Sequence, residues 1–193
     1  MKVYLAGKIS KNGWRDKIIQ DLRSHVTDID GGLSIISAEP AKTFLPYLLA
    51  TGPFFISCDH GCYHGENSHG VGANGVRGCA CGWEDDCPDE RFPPNLVHDI
   101  CMKQLEASDF VFAYIDSWSC FGTLCEIGYA HAKRIPVVIY FASKELQEDM
   151  WFAAECADIV FRSSGHISHA KDRRFIPVAS KIVGRIYSED EDD

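Results

Sequence analysis

The segment GTLCEIGYAHA, residues 122–132, holds one acidic side chain, Glu126, among small and apolar residues. Its spacing predicts a helix with Glu126 in or near the first turn. The helix dipole would stabilise a carboxylate there, which is a purely structural reason for the residue. A chemical reason is also open, because an ionised carboxylate can attack or stabilise an electron-poor sugar carbon while another group protonates the leaving group.

Two strand-like segments would position further polar groups near this helix. FVFAYID, residues 110–116, reads as a buried strand that delivers Asp116 to its carboxyl end. KVYLAG, residues 2–7, reads as a first strand that carries Tyr4. Ligands of open α/β sheets bind beyond the carboxyl ends of the strands, so these segments predict one shared site. The residues expected near this edge are Gly7, Lys8, Ser10, Lys11, Arg15, Asp116 and Glu126.

Strands and helices alternate along the chain, and the strands are nearly continuous apolar runs. This pattern is typical of a parallel sheet covered on both faces, so we predict an α/β fold with a small, doubly wound, five-stranded parallel sheet. The predicted strands lie within residues 2–7, 33–38, 110–116, 135–141 and 158–163. The predicted helices lie within residues 11–26, 94–109, 122–134, 143–157 and 174–189, with Ser143 as an N-cap.

Length and charge restrict the class of protein. The 193 residues suit a single domain spanning 1–193, with an acidic tail at 188–193. A net charge of −9 argues against a protein that coats nucleic acid. No apolar run is long enough to cross a bilayer, and the N-terminus is too polar for a signal peptide. We therefore expect a cytoplasmic protein with neither a membrane nor a nucleic-acid partner.

Residues 39–93 lack periodicity and predict a long irregular insertion rich in Cys and His. Five of the nine cysteines fall in this segment, and their odd total speaks against a disulfide framework. A structural zinc site, a lid whose aromatic residues stack on a base, and ordinary reduced thiols all remain open. The candidate metal ligands are Cys58, Cys62, His64, Cys79 and Cys87.

The beginning KVYLAGKIS and the segment DFVFAYIDSWSCFGTLCEIGYAHAKRIPVVIYF, residues 109–141, resemble the nucleoside 2-deoxyribosyltransferase-like family. The most specific part is Gly-Thr-x-x-Glu-Ile-Gly-Tyr-Ala followed by a Pro-Val strand. The resemblance implies a flavodoxin-like fold, no required cofactor and a homo-oligomer. It also implies that Glu126, oriented by Tyr4, attacks C1′ of a nucleoside or nucleotide and forms a covalent glycosyl-enzyme.

The resemblance also assigns the substrate-contacting positions. The loop after Gly7, with Lys8 and Ile9, matches the loop on the sugar or phosphate side, and Gly122 and Thr123 belong to the helix motif. The family has Asp or Ser six residues before the glutamate, where this chain has Cys120 next to Ser119. It has another Asp where this chain has Cys101, with Asp99 two residues earlier and on a different side of the helix.

These features together predict an N-glycosyl transferase or hydrolase that cleaves the base–sugar bond of a small nucleoside or nucleotide. The leaving-group acid is Asp116, Asp99 or neither. One alternative is an N-glycosidase of nucleotides or NAD that uses only water as acceptor. A second alternative is a non-catalytic nucleotide-binding or sensing module, in which Cys120 and Cys101 mark lost catalysis.

Overall fold

The protein is represented by a computed structural model that describes residues 1–8, 14–19, 26–29, 33–36, 40–53, 56–58 and 94–187. The chain divides into two compact units, of which the first contains residues 1–8 and 105–193 and the second contains residues 9–104.

The strands are β1 (Lys2–Gly7), β2 (Val26–Ile29), β3 (Leu33–Ile36), β4 (Ala41–Lys42), β5 (Leu49–Gly52), β6 (Ile56–Cys58), β7 (Phe110–Ile115), β8 (Val137–Phe141), β9 (Ile159–Phe161) and β10 (Ile167–Ala170). The helices are α1 (Pro94–Glu106), α2 (Phe121–Ala132), α3 (Lys144–Asp149), α4 (Trp151–Glu155) and α5 (Ile176–Tyr187). Among these described helices, none is long and apolar enough to cross a membrane.

The first unit has an α/β fold with a mixed sheet. Its strands lie in the order β10-β9-β8-β7-β1. The β1–β7, β7–β8 and β8–β9 pairs are parallel, whereas β10 pairs antiparallel with β9. The strands β1, β7 and β8 are almost entirely buried, as their apolar runs predict.

Helices cover both faces of this sheet. On one face α2 packs against β1 and β7. Tyr4 is in register with Val111, so both side chains project to the same face. Phe110 projects to the opposite face and stacks on Phe175, with ring centroids 4.7 Å apart, just before α5 begins. The buried side of α5 consists of Val178, Ala179, Ile182, Val183 and Ile186.

The expected N-cap of the helix after β8 is confirmed. The Ser143 side chain accepts a hydrogen bond from the Leu146 N–H at 3.2 Å and caps α3. Asp109 stands before β7 and accepts a hydrogen bond from the Lys2 N–H at 2.7 Å, which is a structural role at the amino ends of two strands. The helix predicted within residues 143–157 is divided at Met150 into α3 and α4.

The prediction of a five-stranded, fully parallel sheet is wrong in its second strand. That strand is β3, which lies in the second unit and pairs antiparallel with β2 and with β6. Only three residues connect β2 to β3, which is too short for the crossover that a parallel pair requires. The fifth strand of the first unit is instead β10, and it is antiparallel.

The helix predicted over residues 11–26 is also wrong. Its described part consists of a 3-10 turn at Trp14–Lys17, while Val26 begins β2. Trp14 and Ile18 are both buried, as their spacing predicts. A single turn followed by the bridge between Ile19 and Thr43 is sufficient to bury them.

The insertion predicted at 39–93 is not irregular at its beginning. β4 and β5 form an antiparallel hairpin. The buried Thr43 hydroxyl organises its turn by donating to the carbonyl oxygens of Leu45 and Leu48, at 3.1 and 3.0 Å. Apart from β6, the remainder of the predicted insertion lies outside the described residues.

Candidate active site

Glu126 lies on the face of α2 that packs on the sheet. The buried residues of this helix are Thr123, Glu126, Ile127 and Ala130. This i, i+3, i+4, i+7 spacing is the apolar stripe of an amphipathic helix, and the glutamate occupies one of its core positions. Only 7% of Glu126 is exposed. Its side chain therefore faces the protein interior rather than the solvent.

The Glu126 carboxylate is held by Tyr4. The Tyr4 hydroxyl donates a hydrogen bond to Oε1 of Glu126 at 2.5 Å, across 122 positions of sequence. Tyr4 is fully buried within β1, so its ring has little freedom to move. A hydrogen bond to a charged group is among the stronger ones in proteins, and it compensates part of the cost of burying the carboxylate.

The position of Glu126 excludes the simplest structural explanation for it. α2 begins at Phe121, so Glu126 is its sixth residue, and the first turn of the helix contains no acidic residue. The dipole effect decays within the first turn of a helix, so it gives little stabilisation to a carboxylate on the sixth residue. Glu126 lies in the second turn of α2, directly after the first turn. A charge at a core position of a helix breaks the local pattern, and such departures are typical of functional sites.

The loop between β7 and α2 lies at the carboxyl edge of the sheet and begins with the exposed Asp116. The hydroxyls of Ser117 and Ser119 are 2.9 Å apart, and the Ser117 hydroxyl accepts a hydrogen bond from the Ser119 N–H at 3.2 Å. These bonds hold the loop in a turn. Ser117 is not among the residues predicted for this site, although a serine directly after a strand-end aspartate is a turn signal.

Cys120 ends this loop and is buried, with 3% exposure. Its thiol donates to Sδ of Met150 at 3.9 Å, a contact between residues 30 positions apart that no local pattern predicts. Burial raises the pKa of the Cys120 thiol. A backbone hydrogen bond opposes part of this increase, and the charge of Asp116 adds a smaller one. Cys120 is therefore a neutral thiol, unsuited to act as a nucleophile.

Alkylation tests this description of Cys120. Because the thiolate is the reacting form and its pKa is raised, we expect iodoacetamide at pH 8 to modify exposed Cys125 at least about tenfold faster than Cys120. The rate of alkylation at Cys120 should increase as the pH rises above the usual pKa range of thiols. Chymotryptic peptides analysed by mass spectrometry distinguish the two sites. Equal rates at pH 8 would contradict a buried, protonated Cys120.

Residues at the end of β1 and the start of α2 complete this edge. Gly7 has a φ of 152°, a region that glycine adopts most readily, and it is paired in register with Tyr114. Lys8 follows and is half-buried. Thr123 is buried on the packed side of α2, whereas Gly122 is exposed. A Cβ built on Gly122 would have no heavy atom within 4 Å, so protein packing does not require glycine there.

The roles of Asp99 and Ile9 as substrate contacts stay predictions. Asp99 is exposed on α1, where its carboxylate lies 3.2 Å from Nδ1 of His98, and it belongs to the second unit. Ile9 lies outside the described residues. Cys101, at the position where the family has an aspartate, is buried.

The metal prediction concerns residues that are mostly outside the described part of the chain. Cys58 is the last residue of β6. In the ranges that the structure does describe, no group of three or more His, Cys, Asp or Glu residues is placed to hold a metal ion. The structural zinc site stays a prediction for the candidate ligands beyond these ranges, which are Cys62, His64, Cys79 and Cys87.

Comparison with known proteins adds no assignment to this geometry. No family model matches the sequence, and no curated protein matches it. Functional inference for this chain therefore rests on its sequence motifs and on the arrangement around Glu126.

Proposed function

We propose that this protein cleaves the N-glycosidic bond of a nucleoside or nucleotide, with Glu126 as the nucleophile. The observation that carries the proposal is the buried Glu126 carboxylate held by the Tyr4 hydroxyl at 2.5 Å. The resemblance of the Tyr-x-Ala-Gly and Gly-Thr-x-x-Glu-Ile-Gly-Tyr-Ala segments to the nucleoside 2-deoxyribosyltransferase-like family supports the same assignment.

The first step forms a covalent intermediate. One oxygen of the Glu126 carboxylate remains hydrogen-bonded to Tyr4, and the other attacks C1′ of the sugar. The bond between C1′ and the base nitrogen breaks, and its electron pair leaves with the base. The departing base takes a proton from an acid or from water. Tyr4 contributes by fixing the direction of the carboxylate, because a misplaced nucleophile loses much of its advantage.

The second step returns the enzyme to its starting state. A water molecule attacks C1′, the bond to Glu126 breaks, and the carboxylate regains its electron pair while the water loses a proton. In the transfer reaction, a nitrogen of a second base takes the place of water. Asp116 is exposed at the carboxyl edge of the sheet, where it contacts the sugar hydroxyls or serves as the proton donor and acceptor.

Several broader features belong to the same proposal. The first unit is a variant of the flavodoxin-like fold. Elsewhere, the chain includes a Cys/His-rich insertion that structural zinc would stabilise. The reaction needs no cofactor, and the protein works in the cytoplasm as a homo-oligomer. Size-exclusion chromatography with light scattering and a zinc assay on protein purified without chelator test these statements separately.

Release of free base from a substrate panel tests the proposed activity. Ribonucleosides, deoxyribonucleosides, their 5′-monophosphates and NAD are each incubated with the protein, and free bases are separated by chromatography. We expect release from at least one member, and an added second base that forms a new nucleoside would identify transfer. If no member releases base and a ligand only raises the melting temperature, the protein is a binding module and the proposal is wrong.

A substitution at Gly122 tests whether substrate approaches the start of α2. Gly122→Ala leaves packing intact and favours the helix by about 1 kcal/mol. We nevertheless expect base release to fall about tenfold, because the added methyl group occupies space that the substrate needs. Gly128→Ala is the matched control, since it lies on the same helix and its Cβ also has no heavy atom within 4 Å. Equal activities of the two variants would place the substrate elsewhere.

A further inference from the structure

A second concave region lies on the sheet face opposite Glu126. A cavity of about 500 Å³ opens where β7, β8 and β9 end, and α5 closes one side of it. Three tyrosines line it, Tyr114 from β7, Tyr140 from β8 and Tyr187 from the end of α5, together with Ser163 and Ser164. Tyr114 and Tyr140 stack with ring centroids 5.2 Å apart and an angle of 21° between their planes. The cavity therefore has an aromatic wall at the edge where α/β proteins bind ligands.

A neighbouring cavity supplies positive charge. It measures about 410 Å³, shares Ser163 and Ser164 with the aromatic cavity, and is lined by two cations, Lys144 and Arg162, and by one carboxylate, Glu148. Nζ of Lys144 is paired with the Glu148 carboxylate at 3.0 Å. The exposed Arg162 guanidinium forms no ion pair or hydrogen bond within the described ranges of the chain. Arg162 is therefore the cation available to an anionic ligand, and its planar fork suits carboxylate or phosphate.

Tyr140 carries a hydrogen-bond donor that the protein uses poorly. Tyr140 is only 3% exposed. Its hydroxyl nevertheless donates to the Ser163 carbonyl oxygen at 3.5 Å, which is long for a hydrogen bond. Burial, with the nearby Tyr114 and Tyr187, raises the pKa of Tyr140 to about 12, so the phenol keeps its proton. Buried polar groups normally find a close partner, and a ligand in the cavity would provide one.

We infer that the two cavities form one binding site for a small molecule that joins a planar aromatic ring to a carboxylate or phosphate group. The ring packs against the tyrosines, the Tyr140 hydroxyl donates to the ligand, and Arg162 binds the anionic group. The combined volume falls within the range of small-molecule pockets. This site is separate from Glu126 and does not depend on the proposed reaction.

Binding of 1-naphthyl phosphate and of 1-naphthoate tests this inference, because neither compound has a glycosidic bond for Glu126 to cleave. Each is titrated into 15N-labelled protein, and the affinity is measured by calorimetry. We expect at least one probe to shift the amide signals of Ala142, Ser163 and Ser164, and the tighter probe identifies the anion. If neither probe shifts these signals, or if shifts occur only around Gly122–Glu126, the inference is overturned.

Two variants assign the roles of the residues in this site. Arg162→Gln should weaken binding about tenfold, because a charge-assisted hydrogen bond is lost. Tyr140→Phe should weaken it about threefold to tenfold while retaining the ring. Arg173→Gln, at an exposed arginine away from both cavities, should bind as tightly as the unmodified protein. Unchanged affinity in Arg162→Gln would refute the anion site.

Discussion

Replacing Glu126 with Gln is expected to reduce base release by about 1000-fold or more, because the amide keeps the size of the side chain but loses the nucleophilic oxygen. The measurement is base release by chromatography on the best substrate of the panel. Circular dichroism and the melting temperature establish that the variant is folded. The Tyr4 hydroxyl can still donate to the amide oxygen, so the local structure should be retained.

Glu106→Gln is the matched control for this loss. Glu106 accepts a hydrogen bond from the Tyr129 hydroxyl at 2.5 Å and pairs with Lys133 at 2.8 Å, but it is exposed. The same chemical change there should leave activity within about twofold, since exposed ion pairs contribute little. A folded Glu126→Gln variant that retains normal base release would remove Glu126 from the role of nucleophile.

Removing the Tyr4 hydroxyl is expected to have the second-largest effect. In Tyr4→Phe the buried carboxylate loses a donor, and we expect a stability loss of about 1–3 kcal/mol. Base release should fall about tenfold to a hundredfold, because the nucleophile is no longer held in one orientation. Urea unfolding gives the first quantity, and kcat/KM gives the second.

Tyr129→Phe provides an internal comparison of the same substitution. The Tyr129 hydroxyl also donates to a carboxylate at 2.5 Å, that of Glu106, but at an exposed position. Its loss should cost no more than about 0.5 kcal/mol and leave activity unchanged. If the two variants behave alike in both measurements, burial of the Tyr4–Glu126 pair has no special consequence.

The sequence predicts the fold best from residue 94 onward. There, the predicted helices and strands have consistent apolar patterns. α1, β7, β8, β9 and α5 lie within the predicted segments, and α2 begins one residue before its predicted segment. The division at Met150 and the strand β10 were not predicted. β10 is short, and its residues alternate between exposed and half-buried, so it lacks the apolar run used to recognise the other strands.

The strand predicted over residues 2–7 is confirmed as β1, but the helix predicted over 11–26 and the parallel pairing of the second strand fail because the apolar spacing there is ambiguous. Trp14 and Ile18 fit a helix, but a single turn buries both of them. The segment Asp30-Gly31-Gly32 between two apolar runs is a hairpin signal, and giving it weight would have predicted the antiparallel pairing of β2 and β3. Local turn chemistry thus outweighs the expectation of alternating helices and strands.

The candidate site is predictable in part. The i, i+3, i+4, i+7 pattern of Thr123, Glu126, Ile127 and Ala130 can be read from the sequence and would have placed Glu126 on the buried face. The pairing of Tyr4 with Glu126 cannot be obtained from spacing, since 122 positions separate them. The resemblance to a known family suggested it. The contact between Cys120 and Met150 has no sequence signal at all.

Detection of a glycosyl group on Glu126 tests the central claim most directly. A 2-fluoro-substituted nucleoside slows departure of the sugar by destabilising the oxocarbenium-like transition state, so the covalent intermediate should accumulate. We predict that intact-protein mass spectrometry shows one added fluorosugar per chain, and that peptide sequencing places it on Glu126. Base release that proceeds without any adduct, or an adduct on a different residue, would contradict Glu126 as the nucleophile.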